Sequence, residues 1–223
     1  MNFISSLTRE TKWGLPANFK LLGNPGFITM YDYGIMQPRY VLYEVSKEEM
    51  AVQPERNDCF RPDVRLPLEF RQDLSHYAGT GYDRGHMAPS AACRTQRENM
   101  SSFLMSNMCP QTPECNRGPW KDLEDEVREL AKRDGVLSVH CCCGPVFRDE
   151  VPIECLRSTG KRPLAIPHSF FMSWLVESVR GAIKVHSRLV NNDQGPEVER
   201  IDYDDLTLCT GLQIWNNIEG SSI

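Results

Sequence analysis

One amphipathic segment, "GPWKDLEDEVRELAKRDG" at residues 118–135, constrains the fold more than any other feature of the chain. Its apolar residues recur every three or four positions, which places them along one side of a helix. Pro119 stands where a first-turn proline is tolerated, acidic residues crowd the early turns, and Lys132 and Arg133 precede the closing Gly135. The spacing therefore predicts a helix over residues 118–135 with one buried stripe.

Segments on both sides of this helix have the composition of β-strands. "FITMYDY" (27–33) and "RYVLYEV" (39–45) are rich in β-branched and aromatic residues and are separated by a turn. Downstream, "GVLSVHCCCGPVF" (135–147) predicts a buried strand, and residues 168–177 and 182–190 predict a hairpin. Strands around a central helix predict an α+β fold, with antiparallel sheet packed against helices.

The remaining segments are less regular. Residues 53–82 are rich in Pro, Asp and Arg and have little periodicity, which is typical of a functional or disordered loop. Residues 191–197 predict an exposed turn, and the tail 204–215 fits either a short helix or a strand.

The length and composition indicate an ordinary globular protein. The chain has 223 residues, with 40% hydrophobic and 25% charged residues, so we expect a single domain over residues 1–223. No apolar run approaches the roughly 18 residues needed to span a bilayer, which predicts no membrane partner. The first 16 residues do not have the pattern of a signal peptide. Two locations stay open for the protein, secretion and an organelle.

Charge is distributed unevenly along the chain. The formal net charge is −5, which by itself argues weakly against a general nucleic-acid-binding protein. Yet residues 56–97 contain seven arginines, five acidic residues and no lysine. The planar guanidinium group matches phosphate oxygens in a way that an ammonium group does not. Both a phosphate-binding surface and a merely solvated face fit this window.

Cysteines are numerous. Nine is an odd number, so a fully paired disulfide framework within one chain is impossible. Three stand side by side in "HCCCGP" (140–145), which lacks the usual ligand spacing of a zinc site. We expect small buried apolar residues here. A disulfide between Cys109 and Cys115 remains open.

A cluster of reactive side chains lies in "TGYDRGHMAPSA" (80–91), where an acid, an arginine, a glycine and a histidine are consecutive. Asn107 follows His86 by 21 positions, Asn116 by 30, and Glu124 lies eight beyond Asn116. With Asn116 just before the helix, eight positions leave the last two about 80° apart around one axis. Asn116 and Glu124 are then placed to bind one ion, directly and through water. The alternatives are a helix-capping Asn116 and a solvated Glu124.

The tetrad Asp83–His86, the segment "FLMSNMCPQ", Asn116, Trp120 and the helix Glu124 resemble, in this order, a known enzyme family. They are similar to the endonuclease G-like DNA/RNA non-specific endonucleases of the ββα-metal (His-Me finger) superfamily. The resemblance covers most of the chain and is strongest between residues 81 and 130. It implies a ββα-metal nuclease fold with a central antiparallel sheet flanked by helices, and a catalytic core at about residues 80–133.

The resemblance also implies roles for the catalytic residues. His86 matches the general base, and Asn116 matches the single protein ligand of a divalent ion, Mg²⁺, for which Mn²⁺ substitutes. Glu124 matches the carboxylate that orients metal-bound water. Asn107 matches a residue that supports the base, and Asp83 shapes the metal-water or loop network.

Further implications concern the substrate and partners. Arg84 matches a phosphate-binding arginine, Arg56 a second one by a looser alignment, and Arg94 and Arg117 are expected to contact the substrate backbone. DNA and RNA are then gripped through phosphates and cut to 5′-phosphate and 3′-hydroxyl ends. The family resemblance also implies a homodimer, and a nuclease that endangers its host's genome implies secretion, compartmentation or an inhibitor protein. The competing hypotheses are a non-catalytic nucleic-acid-binding relative and a cysteine-rich zinc-binding module. Cys115 and Arg117 depart from the residues that the family pattern leads us to expect.

Overall fold

A computed structural model describes residues 18–47, 54–56, 58–148 and 150–218, and within them eleven strands and four α-helices. The strands are β1 Phe19–Asn24, β2 Phe27–Asp32, β3 Gln37–Val45, β4 Asp83–His86, β5 Met108–Gln111, β6 Val136–Val146, β7 Cys155–Leu156, β8 Leu164–Ala165, β9 Ser169–Ser178, β10 Ile183–Asn191 and β11 Val198–Arg200. The helices are α1 Gln96–Ser102, α2 Pro113–Arg117, α3 Pro119–Ala131 and α4 Tyr203–Thr210.

Seven strands form one antiparallel sheet in the order β1-β2-β3-β6-β9-β10-β11. Two small hairpins, β4-β5 and β7-β8, lie outside it. The predicted strands at 27–33, 39–45 and 135–147 and the hairpin at 168–190 correspond to β2, β3, β6, β9 and β10. The expected α+β fold with a central antiparallel sheet is confirmed.

Both faces of the sheet are covered, which explains the three consecutive cysteines. Cys141 and Cys143 pack in the same cluster as α3, whereas Cys142 packs with α4 and the segment that follows it. Alternate residues of a strand point to opposite faces, so burial of all three requires cover on both sides. All nine cysteines are free, and Cys109 and Cys115 are both buried.

The predicted long helix is α3, and its apolar stripe is buried as expected. Trp120, Leu123, Val127 and Ala131 pack against the sheet. The helix begins at Pro119 and ends at Ala131, a few residues inside the predicted bounds. The tail forms helix α4, which the pattern had left open between a helix and a strand.

A second short helix precedes α3 and changes the expected position of Asn116. Asn116 lies inside α2, and Gly118 is the N-cap residue of α3, so the alternative that Asn116 serves only to cap this helix is wrong. A Cβ atom at position 118 would stand 2.7 Å from the carbonyl oxygen of Glu114, so glycine lets the chain turn sharply between the helices. Asn116 and Glu124 therefore lie on consecutive helices, and the angle derived for one continuous helix does not apply.

The hairpin β4-β5 and helices α2 and α3 form a ββα unit. The antiparallel pairing places Asp83 opposite Gln111 and His86 opposite Met108. Between the two strands the chain makes α1 and short 3₁₀ turns at Ser90–Ala92 and Met105–Asn107. The unit docks on the sheet through α3.

Asn192, just after β10, connects the ββα unit to the far part of the sheet. Its Nδ2 donates to the carbonyl oxygens of Pro110, at 3.0 Å, and Pro167, at 2.9 Å. Its Oδ1 accepts from the backbone N–H of Thr112 at 2.8 Å. One buried amide thus joins three segments distant in sequence.

The long segment before β4 is irregular, as predicted for residues 53–82; residues 53 and 57 lie outside the described part. It contains only short 3₁₀ turns at Leu68–Phe70 and Leu74–His76 and one isolated bridge between Arg61 and Leu104. None of the helices in the described ranges has the length and apolar character needed to cross a membrane.

Candidate active site

One cavity of about 380 Å³ opens where the irregular segment, β4, α2 and the start of α3 meet. It brings together residues that are far apart in sequence: Arg56, Asp58, Phe60, Asp83, Arg84, His86, Pro89, Ser90, Ala91, Asn116, Arg117, Lys121 and Glu124. Convergence of this many charged and polar groups in a concave site is typical of an active site.

His86 is the last residue of β4, and its Nε2 is buried and has no hydrogen-bond partner among the described residues. Its ring lies edge-on to Phe103, with centroids 4.9 Å apart, and 5.6 Å from the ring of Phe60. Burial lowers the pKa of His86 to about 3, and the charges of Arg56 and Arg84 act in the same direction. The imidazole is therefore neutral near pH 7, and a neutral imidazole has one nitrogen that accepts a proton.

The backbone around His86 is held from two sides. Trp120 of α3 donates from Nε1 to the carbonyl oxygen of His86 at 3.1 Å. Asn107 accepts from the N–H of Ala88 and donates to the carbonyl oxygens of Ala88 and Ser102, each at 2.9 Å. Asn107 is fully buried and fixes the chain just after His86 without lining the cavity.

Asn116 and Arg117, the last two residues of α2, both bind Asp83 at the start of β4. The Asn116 Nδ2 donates to Asp83 Oδ2 at 2.9 Å, and Arg117 donates two bonds of 2.8 Å to the same carboxylate. Burial alone would raise the pKa of Asp83, but the hydrogen bonds from Arg117 and Asn116 bring it below its usual value. An ionised carboxylate only accepts hydrogen bonds, so the NH₂ group of Asn116 faces it and the amide oxygen is left for another partner.

Glu124 lines the same cavity from α3. Burial raises its pKa to about 8, whereas the charge of Arg128 acts in the opposite direction. A nearby cation favours the ionised form of a carboxyl group. A cation bound in the cavity would therefore favour the ionised form of Glu124.

Cationic side chains surround the cavity. The guanidinium carbon of Arg84 lies 4.3 Å from the centroid of the Phe60 ring. Arg56 donates to Asp58 Oδ1 at 2.8 Å, and its guanidinium lies over the Phe103 ring at 5.5 Å. The aromatic pair thus supports both arginines that were predicted to bind phosphate.

Two of the predicted site residues do not line this cavity. Asn107 lies beneath it, as described above. Arg94 lies elsewhere and binds Glu98, with 3.0 Å between its Nη2 and Glu98 Oε1. The structure brings the other predicted residues together: Asp83, Arg84, His86, Asn116, Glu124, Arg56 and Arg117.

The donor groups in the cavity fit a hydrated hard cation. Amide and carboxylate oxygens are the ligands that Mg²⁺ takes, and Mg²⁺ usually keeps several of its waters. The amide oxygen of Asn116 has no hydrogen-bond partner in the part of the chain that the structure describes, and the carboxyl group of Glu124 lines the same space. Within the described ranges, no three His, Cys, Asp or Glu side chains are grouped to hold a metal ion. The arrangement fits a cation with few protein ligands better than the closed ligand cage of a structural zinc site.

The DNA/RNA non-specific endonuclease family model matches residues 9–220. The chain belongs to the DNA/RNA non-specific endonuclease family. It is 27% identical over 219 residues to human mitochondrial endonuclease G, covering 93% of this chain and 73% of the relative. It is 32% identical over 217 residues to a nuclease of Nostoc sp., covering 91% and 75%.

A solved structure confirms the ββα-metal nuclease fold. It is a crystal structure of an EndoG/EndoGI complex, with a TM-score of 0.81 and 24% identity, covering 98% of this chain and 95% of that one. As a DNA/RNA non-specific endonuclease, the protein is a nuclease that hydrolyses phosphodiester bonds and binds nucleic acid. The family is metal-dependent and generally uses a divalent ion. Membership of a nuclease family argues against the hypothesis of a cysteine-rich zinc-binding interaction module.

Several cavity residues were not singled out from the sequence. Asp58, Phe60 and Ser90 line the cavity, and Phe103 packs against the ring of His86 without lining the cavity. The only sequence signal for the first two was their place in a long aperiodic segment upstream of the tetrad. Loops of that kind frequently carry function.

Proposed function

We propose that this nuclease cuts both DNA and RNA endonucleolytically, with His86 as the general base and Mg²⁺ held by Asn116. The observation that carries the proposal is that the imidazole of His86 and the side-chain amide of Asn116 line one cavity. Around them stand three arginines and a lysine, Arg56, Arg84, Arg117 and Lys121. This combination suits an anionic diester that must be bound, oriented and attacked by water.

The chemistry proceeds from the positions of these side chains. A water molecule attacks phosphorus and gives up its proton to His86, the P–O3′ bond breaks, and the leaving oxygen takes a proton from solvent. The products are a 5′-phosphate and a 3′-hydroxyl end. A bound divalent ion supplies charge neutralisation at the phosphate and the leaving oxygen.

Supporting roles follow from the same geometry. Arg84 and Arg56, held against the aromatic pair, bind phosphate oxygens. Glu124 orients the water around the cation, and Asn107 keeps the base in place through the backbone. On this proposal, residues 80–133 are the catalytic core of a single domain. Arg94 stays a predicted outer contact to the nucleic-acid backbone.

The proposal extends to specificity and compartment. Phosphate contacts carry no sequence information, so single-stranded DNA, duplex DNA and RNA should all be cut. The similarity to mitochondrial nucleases of human and yeast supports an organellar compartment. The similarity to a structure of an inhibited EndoG complex supports an inhibitor protein as a partner. A homodimer stays a prediction from the family.

The test is digestion of plasmid DNA, single-stranded DNA and RNA, with the protein first stripped by EDTA. We expect no cleavage after chelation and recovery on addition of Mg²⁺ or Mn²⁺. Cleavage that survives thorough chelation would remove the metal from the proposal. Inactivity on every substrate with metal restored would favour the non-catalytic nucleic-acid-binding alternative.

A further inference from the structure

Arg117 faces the catalytic cavity, yet its guanidinium group is occupied by a protein carboxylate. Both its Nε and its Nη2 donate to Asp83, each at 2.8 Å, in a two-point contact. The side chain of Arg117 is 70% exposed, whereas that of Asp83 is only 21% exposed. Arg117 thus covers Asp83 from the solvent side.

Asp83 is also the group that orients Asn116. Its Oδ2 accepts from both Asn116 Nδ2 and Arg117 Nε, so one oxygen atom links the two side chains. Consecutive residues on a helix diverge by about 100°. The two side chains therefore approach the carboxylate from different directions and clasp it between them.

We propose that Arg117 is a positioning residue that fixes the metal-holding amide of Asn116 through Asp83. The inference rests on the proposed role of Asn116 as the metal ligand. Arg117 locks the rotamer of the Asp83 carboxylate and neutralises its charge. Asp83 in turn holds the NH₂ end of Asn116 and so presents the amide oxygen to the cation.

Arginine is suited to this task because its planar fork binds a carboxylate at two points, which a lysine cannot do. Without Arg117, the bond from Asn116 is the one side-chain hydrogen bond that Asp83 keeps from the described residues, and the carboxylate is able to rotate about its own side-chain torsions. Groups that orient a metal ligand from behind commonly change metal affinity by about 10-fold or more when removed. The role differs from the direct phosphate contact that the sequence suggested for this residue.

The test measures metal binding directly, with Mn²⁺ titrated into the nucleic-acid-free protein and followed by electron paramagnetic resonance. We expect Arg117→Ala to weaken Mn²⁺ binding about 10-fold and Arg117→Lys to recover part of that loss. Lys132→Ala is the matched control, because it also removes a positive charge and a surface ion pair, that with Glu129, on the same ββα unit. It should bind Mn²⁺ like the wild type.

A double-mutant cycle checks that Arg117 acts through Asp83. If it does, Asp83→Asn and the double variant Asp83→Asn/Arg117→Ala bind Mn²⁺ equally weakly. The inference would be overturned if the two substitutions weakened Mn²⁺ binding independently, so that their losses multiplied in the double variant. Wild-type Mn²⁺ affinity in Arg117→Ala would overturn it as well. The thermal midpoint of Arg117→Ala should fall by less than about 4 °C, because exposed ion pairs contribute little to stability. A larger fall together with a loss of binding would indicate a structural role instead.

Two further measurements separate the alternatives. Nucleic-acid binding in EDTA, measured in a His86→Ala background, should keep its salt dependence when Arg117 is also replaced by Ala. If the slope of log binding constant against log salt concentration becomes shallower by about 0.9, Arg117 binds a phosphate, and the positioning role is overturned. Asn116→Ala tests the underlying proposal: unchanged Mn²⁺ affinity there would remove the metal site itself. Loss of binding in Asn116→Ala but not in Arg117→Ala would remove only the present inference.

Discussion

The side-chain amide of Gln111 lies against Gly85, in the space that a Cβ atom at position 85 would occupy. Gly85 pairs with Cys109 on the neighbouring strand, between the positions that carry Arg84 and His86. Gly85→Ala should therefore push β4 away from β5, displace both neighbours and lower cleavage at least 10-fold. Forcing an extra methyl group into a packed site costs about 1–3 kcal/mol. Thermal unfolding and cleavage rate, measured on the same protein, check both effects.

A matched control is Gly79→Ala, in the loop before the tetrad. No atom of the described residues lies within 4 Å of a Cβ atom at that position, although its φ of +72° strains any substitution. It should cost stability without a comparable loss in activity per folded molecule. Equal activity losses in both variants would argue against the steric explanation for Gly85.

Replacing the base should remove most of the rate. A general base contributes about 10²–10⁴-fold to catalysis, so we expect His86→Ala to lose cleavage by this factor while still binding DNA. His140→Ala, a half-buried histidine on β6 outside the cavity, should cut at the wild-type rate. Near-normal turnover by His86→Ala would refute its role as the base.

The pH dependence should differ from that of an ordinary histidine. Burial lowers the pKa of His86 to about 3, below its usual 6.5, so the ring stays neutral and able to accept a proton well below pH 6. Cleavage at saturating Mg²⁺ should show no inflection near pH 6.5. NMR titration of the His86 ring should agree with this, and a ring titrating near pH 6.5 would contradict it.

The same shift has a consequence for stability, with the opposite sign to that of a salt-bridged histidine. Between pH 6.5 and 3 the unfolded chain binds a proton at this residue and the folded chain does not. The free energy of unfolding of the wild type should therefore decrease as the pH falls from 6.5 to 3. His86→Ala should lose less, as measured by denaturant unfolding at pH 7 and pH 4.5.

Asn107 should matter for the base although it does not touch the cavity. Asn107→Ala removes three buried hydrogen bonds and leaves Ala88 and Ser102 groups unpaired, on the order of 3 kcal/mol of stability. Asn107→Asp should be at least as harmful, because a carboxylate cannot donate to the two carbonyl oxygens. Full activity in Asn107→Asp would show that these donated bonds do not position His86.

Much of the fold was predictable from local patterns. The helix α3 and the strands β2, β3, β6, β9 and β10 have strong periodicity or β-rich composition, and the structure has them within a few residues of the predicted bounds. β1, β11 and the two-residue strands β7 and β8 were not predicted. Short strands at sheet edges and in small hairpins depend on partners distant in sequence, so local composition gives little signal for them.

The site was predictable as a set of residues and less so as a geometry. His86, Asn116 and Glu124 were singled out by their order and spacing together with the resemblance to the family, and they line one cavity. The break between α2 and α3 was missed because it depends on a close approach at Gly118 that no periodicity reveals. Arg94 resembles the other arginines in sequence, and only the tertiary structure shows that it binds Glu98 away from the cavity.

The amide of Asn192 limits how far the chain can be shortened while the ββα unit keeps its hydrogen bonds. It bonds Pro110 and Thr112, which flank the end of β5, and also Pro167 ahead of β9. A peptide trimmed to the hairpin and its helix would leave those backbone groups to water and lose the brace that sets their angle. Transplanting the catalytic unit into another scaffold therefore requires an equivalent amide supplied from outside the graft.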